Sequence, residues 1–257
     1  MSFSTGTHCT TRTNPWIISY QARPQAKQRL ICFAHAGGSA SAYNTWHTHL
    51  SDSVEVCAVQ LPGRYERGKQ AFALQMDALT PQLMAALEPL EDRPFALFGY
   101  SLGAILAFEY ARALRRAGRR QPYHLLVAAA RAPHVPVESP IHHLPDASFL
   151  RELEDRYGGV PSAARADPQL LAYFLPVIRA DLQLLASYRY RDEAPLACPL
   201  TALGGNTDVC VSAADLEQWR KHSTSSFESH VFPGGHFFIT GSLQAAMSLV
   251  TRCVSRP

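Results

Sequence analysis

Phe98-Gly99-Tyr100-Ser101-Leu102-Gly103 is the stretch of sequence from which the fold can be read. It has the form Gly-x-Ser-x-Gly, with a short apolar segment before it (residues 95–98) and a helix-like segment after it (residues 104–114). A strand, a sharp turn and a helix in this order form a nucleophile elbow. Side chains at positions 99 and 103 would crowd so tight a turn. The sequence therefore predicts Ser101 at the tip of the turn, beside helix-start N–H groups that can stabilise negative charge.

Strands and helices alternate along the rest of the chain. Continuous apolar runs predict buried strands, at residues 29–34, 54–59, 124–130 and 200–205, with an edge strand at 15–20 and a last strand at 229–232. Helical spacing of apolar residues predicts helices at residues 43–50, 76–90 and about 241–253. Apolar strands that alternate with helices predict an α/β fold with a mostly parallel central sheet and helices on both faces.

One interval interrupts this alternation. About seventy residues between positions 130 and 200 contain no strand candidate. Asp146 is predicted to cap a helix through residue 157, and Asp167 with Pro168 to start a second helix. Pro176 is expected to kink or break that helix before a further segment at 178–188. The interval is too long for a single crossover, so it predicts a helical lid at about residues 136–188, with a pair of ordinary covering helices as the alternative.

Length and composition limit the class of protein. The 257 residues fit one α/β domain at 15–257 behind a flexible N-terminal arm at 1–14. The formal net charge of +3 predicts no nucleic-acid partner. The N-terminus lacks the apolar run of a signal peptide, and no stretch approaches the roughly 18 apolar residues of a membrane span. Six scattered cysteines without Cys-x-x-Cys spacing predict reduced thiols in a cytoplasmic protein.

A serine hydroxyl is a weak nucleophile that needs a base, and the base needs an acid to orient it. The sequence supplies both after Ser101, in the order expected for such a hydrolase. Asp208 ends the turn Gly204-Gly205-Asn206-Thr207-Asp208 after a predicted strand, and His236 lies in Gly234-Gly235-His236-Phe237-Phe238 after the last strand. Open α/β sheets place ligands at such strand ends. The predicted catalytic residues are therefore Ser101, Asp208 and His236.

Two backbone N–H groups must point at the developing oxyanion. One is predicted to come from Leu102, the residue after the nucleophile, and the other from the loop that follows the strand at 29–34. In that loop Ala36-Gly37-Gly38 leaves the backbone bare, and Ala36 is the predicted donor. The alternative is that this segment is only a tight turn. The sequence shows no metal-ligand cluster, phosphate loop or dinucleotide fingerprint, so neither metal nor cofactor is expected.

Several other side chains compete for these roles. Asp181 and Asp192 are alternative acids, but neither follows a strand with a Gly-rich turn. His222 and His230 are expected at the surface. The pair His142-His143 lies at the entrance of the predicted lid and is expected to be solvated.

Arg112, Arg115, Arg116 and Arg119 recur at helical spacing after the elbow. They are expected to share one basic face of that helix. The face is interpreted as solvated cations near the helix C-terminus. A docking patch for an acidic protein partner is the alternative.

Taken together, these motifs resemble those of the type II thioesterases that serve nonribosomal peptide and polyketide assembly lines. The pieces that carry the resemblance are Phe33-Ala34-His35-Ala36-Gly37-Gly38, Gln60-Leu61-Pro62-Gly63-Arg64, Gly99-Tyr100-Ser101-Leu102-Gly103, Arg131-Ala132-Pro133, Gly204-Gly205-Asn206-Thr207-Asp208 and Gly234-Gly235-His236-Phe237-Phe238. Ala34 departs from the family pattern, which usually has proline there.

The resemblance implies an α/β-hydrolase fold and an editing role. Such enzymes cleave acyl groups from the phosphopantetheine thiol of acyl- or peptidyl-carrier proteins. The chain carries no carrier, condensation or adenylation segment, so it would act on an arm presented by another protein. No feature requires an oligomer, and a monomer is expected. A small-molecule carboxylesterase or acyltransferase is the alternative among enzymes, and a non-catalytic interaction module that kept the fold is the alternative outside them.

Overall fold

The computed structural model describes residues 14–136, 140–158, 160 and 166–255, and within them seven strands form one sheet. The strands are β1 (Ile17–Ile18), β2 (Gln28–Phe33), β3 (Val54–Val59), β4 (Phe95–Tyr100), β5 (His124–Ala128), β6 (Leu200–Gly205) and β7 (Phe227–Phe232). Their order is β1-β3-β2-β4-β5-β6-β7, and all neighbours are parallel except the pair β1 and β3. The predicted mostly parallel sheet is confirmed.

Strand β4 explains why the sheet is covered on both faces. All six of its residues are buried. Phe95 and Leu97 belong to one apolar cluster, whereas Ala96 and Phe98 belong to a second cluster. Since successive strand side chains point to opposite faces, an entirely apolar strand requires an apolar layer on each side.

Helices supply these layers. They are α1 (Met76–Leu87), α2 (Leu102–Arg116), α3 (Asp146–Tyr157), α4 (Pro168–Ser187), α5 (Ala213–Glu217), α6 (Phe238–Gly241) and α7 (Leu243–Val254). Helices α1 and α2 pack on the first cluster, and α7 packs on the second. The prediction of one helix at 43–50 is wrong, because two 3₁₀ turns lie there, at Ala40–Tyr43 and Trp46–His49.

Between β5 and β6 the chain forms α3 and α4, and the described part of this interval contains no strand. The two helices share a small apolar cluster of their own, centred on Phe149 and Leu153 of α3. Asp146 is the first residue of α3 and Pro145 occupies the cap position, so the prediction that Asp146 caps this helix is wrong. The start of α4 follows the prediction, because the Asp167 carboxylate accepts hydrogen bonds from the N–H groups of Gln169 and Leu170.

Helix α4 continues through Pro176, so this residue does not break the helix, and a kink there stays a prediction. Proline removes one intrahelical hydrogen bond and crowds the preceding turn. Packing compensates for this loss, since apolar side chains on both sides of Pro176 contact the α3–α4 cluster: Leu171, Leu175, Ile178 and Leu182.

Helix α4 also differs from the expectation that no segment could span a membrane. By length and composition it meets the requirements of a span, because it has 20 residues and contains an 18-residue window with a mean hydropathy of 1.4. Arg179 and Asp181 interrupt the apolar run, but the average over that window stays high. A single helix of this kind is weak evidence for a membrane span, because core helices of globular domains meet the same requirements.

Arg112, Arg115 and Arg116 of α2, and Arg119 just after it, do not form a solvated basic face. Arg112 is only 2% exposed, so that interpretation is wrong for this residue. Each of the four guanidinium groups contacts a carboxylate of Glu91, Glu109 or Glu193. Glu193 lies just after α4 and is more than 70 residues from the arginines in sequence, so no local pattern predicts the contact. The ion pairs attach the segment that contains Glu193 to α2, and a docking patch of free cations is not supported.

The predicted N-terminal arm lies outside the described residues except for Asn14. The side-chain amide of Asn14 donates a hydrogen bond to the carbonyl oxygen of Ala86. All five described cysteines are free thiols, as the scattered spacing predicts: Cys32, Cys57, Cys198, Cys210 and Cys253.

His222 is buried, and the prediction that it lies at the surface is wrong. It is 4% exposed, and its ring packs against Phe108 and Trp219. Its Nε2 atom lies 2.8 Å from Nδ1 of His134. Burial, followed by the charge of a protonated His134, lowers the pKa of His222 from 6.5 to about 4.

Stability is therefore expected to fall as pH decreases from 6.5 towards 4. In this range the unfolded chain binds a proton at His222 that the folded protein excludes. The contribution of neutral His222 to the free energy of unfolding is therefore complete above pH 6.5 and is lost towards pH 4. Replacing His222 with glutamine should reduce the change in the free energy of unfolding between about pH 7 and about pH 4.5 by on the order of 1–2 kcal/mol.

Urea unfolding at several pH values measures this change. Burial also lowers the pKa of His35 and of His124 to about 4, so part of the pH dependence should remain in the variant. Parallel pH profiles for the wild type and the His222→Gln variant would contradict the prediction.

Candidate active site

Ser101 lies between β4 and α2 in a strained backbone conformation, with φ 54° and ψ −116°. A positive φ at a non-glycine residue is costly, and such residues concentrate at functional sites. The flanking glycines allow the turn to approach its neighbours closely. A Cβ atom at Gly99 would lie 2.2 Å from the Gly103 oxygen, and one at Gly103 would lie 2.1 Å from the Phe33 oxygen. The elbow therefore requires glycine at both positions.

The three predicted catalytic side chains meet at one point. Nε2 of His236 lies 3.1 Å from Oγ of Ser101, and Nδ1 of His236 lies 2.9 Å from Oδ2 of Asp208. Ser101 follows β4, Asp208 follows β6, and His236 follows β7. All three strands are parallel to their neighbours, so their carboxyl ends share one edge of the sheet. The distances allow a proton to pass from the serine to the imidazole.

Backbone groups fix the direction of the Asp208 carboxylate. Its Oδ1 atom accepts hydrogen bonds from the N–H groups of Cys210 at 2.9 Å and Val211 at 3.2 Å. Its Oδ2 atom is left to face His236. The side chains of Asp208 and His236 are 0% and 4% exposed, which shields the pair from water.

Aromatic side chains hold the imidazole of His236 in place. The ring of Tyr157, at the end of α3, packs edge-on against it at 4.9 Å between centroids. The hydroxyl of Tyr100 donates to the backbone oxygen of His236. The position of His236 is thus supported by both the sheet and the helices that follow β5.

The two predicted oxyanion donors belong to different segments of the chain. Leu102 is the first residue of α2, directly after Ser101, and Ala36 lies in the loop after β2. Within the described chain, neither N–H group donates to another residue. The side chain of His35, which precedes Ala36, packs against Phe237 at 5.0 Å between ring centroids. Burial, then His236 and Arg64, lowers the pKa of His35 to about 4, so its imidazole is neutral at pH 7.

A cavity of about 440 Å³ opens over Ser101 and His236. Helix α4 contributes Leu182, Leu185 and Ala186 to its wall, and α2 contributes Ile105. The segment after β5 supplies a continuous run of lining residues from 129 to 136. Apolar walls with a few polar groups around the Ser101 hydroxyl suit an acyl chain.

The sequence missed one pair of residues at this site. From the sequence, Asp181 is an alternative to Asp208 as the acid that orients the histidine. In the structure it contacts neither His236 nor Ser101. Instead its carboxylate forms a buried ion pair with Arg64 beside the loop that contains Ala36. The motif Gln60-Leu61-Pro62-Gly63-Arg64 contains the only sequence signal for this pair. In the described residues no group of three or more His, Cys, Asp or Glu side chains is placed to hold a metal ion.

Comparison with known sequences gives one family. The family model for the thioesterase domain matches residues 28–253. The chain is also 37% identical over 239 residues to the protein named linear gramicidin dehydrogenase LgrE, from Brevibacillus parabrevis. That match covers 91% of this chain and 90% of LgrE.

Solved structures give the same result. RedJ, a thioesterase from the prodiginine pathway of Streptomyces coelicolor, superposes with a TM-score of 0.85 at 36% identity, over 90% of this chain and 92% of RedJ. BorB, the type II thioesterase from the borrelidin cluster, superposes with a TM-score of 0.83 at 36% identity, over 93% of this chain and 97% of BorB. The α/β-hydrolase architecture predicted from the sequence is confirmed.

Proposed function

Because the chain belongs to the thioesterase domain family, we propose that it uses Ser101 to hydrolyse acyl thioesters on the phosphopantetheine arm of carrier proteins. It acts as a stand-alone type II thioesterase of nonribosomal peptide or polyketide biosynthesis. The observation that carries the proposal is the hydrogen-bonded series Ser101–His236–Asp208 at the base of the cavity. The likeness to RedJ and BorB over nine-tenths of the chain supports the substrate class.

The geometry supports the following reaction. His236 removes the proton from Ser101 as the serine oxygen attacks the thioester carbonyl carbon. The N–H groups of Leu102 and Ala36 stabilise the tetrahedral oxyanion. When the C–S bond breaks, the imidazolium of His236 protonates the pantetheine thiol, and the acyl group remains on Ser101. His236 then takes a proton from a water molecule as the water oxygen attacks the acyl carbon. When the bond from that carbon to Oγ of Ser101 breaks, the imidazolium returns the proton to Ser101 and the free acid leaves. Asp208 holds the imidazole throughout.

The helices between β5 and β6 act as a lid over this reaction. They supply one wall of the cavity and the ring of Tyr157 against His236, so the acyl chain lies between lid and sheet. The lid is the part of the 15–257 domain at about residues 136–188. Residues 137–139, 159 and 161–165 of this range are outside the described part.

The proposal needs no metal and no cofactor of the protein's own, since serine, imidazole and water complete the reaction. The partner is an acyl- or peptidyl-carrier protein that presents the arm, and the enzyme works on it as a monomer in the cytoplasm. The free thiols of the described cysteines fit a reducing compartment. Although LgrE is named as a dehydrogenase, the sequence has no Gly-x-Gly-x-x-Gly motif for a dinucleotide, so the proposal follows the family.

The proposal is tested by comparing two substrates that carry the same acyl group on different leaving groups. We expect kcat/KM for an acyl group on a holo-carrier protein to exceed that for the same acyl group on a simple oxygen alcohol by about 10²-fold or more, because the arm and the carrier add binding energy. A panel of acyl groups on several carrier proteins would identify the preferred substrate. Equal or faster hydrolysis of the oxygen ester would favour a small-molecule esterase instead.

A further inference from the structure

Arg64 and Asp181 form an ion pair that is buried beside the site, and the reaction described above gives neither a role. Nη2 of Arg64 lies 2.6 Å from Oδ1 of Asp181, and Nη1 lies 2.8 Å from Oδ2. The side chains are 4% and 2% exposed. A buried ion pair gives up its hydration and is weak evidence for stability by itself. The contacts that the pair makes with its surroundings therefore indicate what it does.

Both partners also hold the backbone of the loop that contains Ala36. The N–H group of Gly37 donates to Oδ2 of Asp181 at 2.7 Å. Nη1 of Arg64 donates to the carbonyl oxygen of Gly38 at 2.8 Å. The pair therefore fixes the loop at two successive residues directly after Ala36.

The same loop is pressed against helix α4. Gly37 has φ +78°, and a Cβ atom there would lie 2.5 Å from Cγ1 of Ile178. Ile178 and Asp181 are one turn apart on α4, so they reach the loop from the same side of that helix. The loop is thus attached to α4 by one packing contact and one charge-assisted hydrogen bond.

We propose that Asp181 and Arg64 are positioning residues that hold the Ala36 N–H group in line with the oxyanion. The inference rests on the proposed function, because Ala36 has this role only in acyl transfer from Ser101. A Gly-rich loop without such support would sample many conformations, and an oxyanion donor is effective only when it is fixed before the reaction. Because Asp181 belongs to α4, the position of the lid helix also sets the position of the donor.

The test measures kcat and KM on an acyl-carrier thioester for the Asp181→Asn variant. The donor is used in the transition state more than in substrate binding, so kcat should fall about 10- to 100-fold while KM changes less than about threefold. The Arg64→Lys variant keeps the charge but loses the planar fork, so a smaller loss of kcat, about 5- to 10-fold, is expected. A purely structural role would not produce this division between kcat and KM.

Asp146→Asn is the matched control. Asp146 accepts a hydrogen bond from Nη2 of Arg179, another α4 residue, at 2.7 Å, and this pair does not touch the loop. Its kcat should stay within about twofold of the wild type. Folded Asp181→Asn protein with unchanged kcat, or with a raised KM alone, would overturn the inference. If Asp181→Asn does not fold, Arg64→Lys with unchanged kcat would overturn it.

A fluorophosphonate separates this inference from the proposed function. It phosphonylates an activated serine through an oxyanion-like transition state, whatever the natural substrate is. The maximal rate of labelling should fall in Asp181→Asn and Arg64→Lys but not in Asp146→Asn. If the wild-type protein reacted with the probe but did not hydrolyse carrier thioesters, the proposed substrate would be wrong. The labelling rates of the variants would still test the positioning role.

Discussion

Replacing Ser101 with alanine is expected to abolish turnover of acyl-carrier thioesters, with a fall in kcat of at least about 10⁴-fold. In the proposed mechanism the variant retains the N–H groups of Leu102 and Ala36 and the cavity, but it has no side-chain oxygen to form the acyl intermediate. Folding should be unaffected, because Ser101 Oγ contacts His236 and caps no helix. Product release by single-turnover mass spectrometry measures the loss, and the same experiment should detect an acyl adduct only on the wild-type serine.

Ser248→Ala is a suitable control for this substitution. Ser248 is exposed on α7, and its hydroxyl donates only to a backbone oxygen of its own helix. Its activity should equal that of the wild type. If the Ser101→Ala variant hydrolysed the thioester at a rate near that of the wild type, the assignment of the nucleophile would be wrong.

Replacing Asp208 with asparagine is expected to lower kcat by about 10³- to 10⁴-fold. Oδ1 of Asp208 accepts two backbone N–H groups, so asparagine would keep its oxygen there and present its NH₂ group to His236. Nδ1 of His236 would then have to accept, which places the ring proton on Nε2. In that tautomer Nε2 cannot take the proton of Ser101.

The competing acid Asp192 provides the control. It is exposed and accepts a hydrogen bond from the hydroxyl of Tyr190. Asp192→Asn should therefore leave kcat unchanged, and circular dichroism should show that both variants are folded. A loss of less than about tenfold in Asp208→Asn would argue against its role as the orienting acid.

The sheet could be predicted from the sequence because its strands carry their signal locally. Strands such as β4 are apolar on both faces, which few other structures explain. The helix predicted at 43–50 was wrong for an instructive reason. Tyr43, Trp46 and Leu50 are all buried, at spacings of three and four residues that are typical of an α-helix, but two short 3₁₀ turns bury them instead. The hydrogen bond from the Tyr43 hydroxyl to Phe33 is a tertiary contact that the local pattern does not contain.

The meeting of Ser101, Asp208 and His236 could be predicted because chain order and strand ends fix where each residue lies. The remaining details depend on partners distant in sequence. His222 is buried by Phe108 and Trp219, and Arg112 is neutralised in part by Glu193, so hydrophilic side chains were placed wrongly at the surface. Asp181 is separated from Arg64 by more than 100 residues. Its charge is visible in the sequence, but its partner is not.

Helix α4 limits how this chain can acquire new substrates. It carries the cavity-lining residues Leu182 and Leu185 on the same few turns as Asp181. An inserted or deleted residue before Asp181 would rotate it by about 100° and break its contact with Gly37. Substrate range should therefore diverge through point substitutions at the lining positions, whereas changes in the length of this helix should be selected against. To engineer the substrate range, one would vary the cavity-lining residues of α4 and keep the length of the helix unchanged.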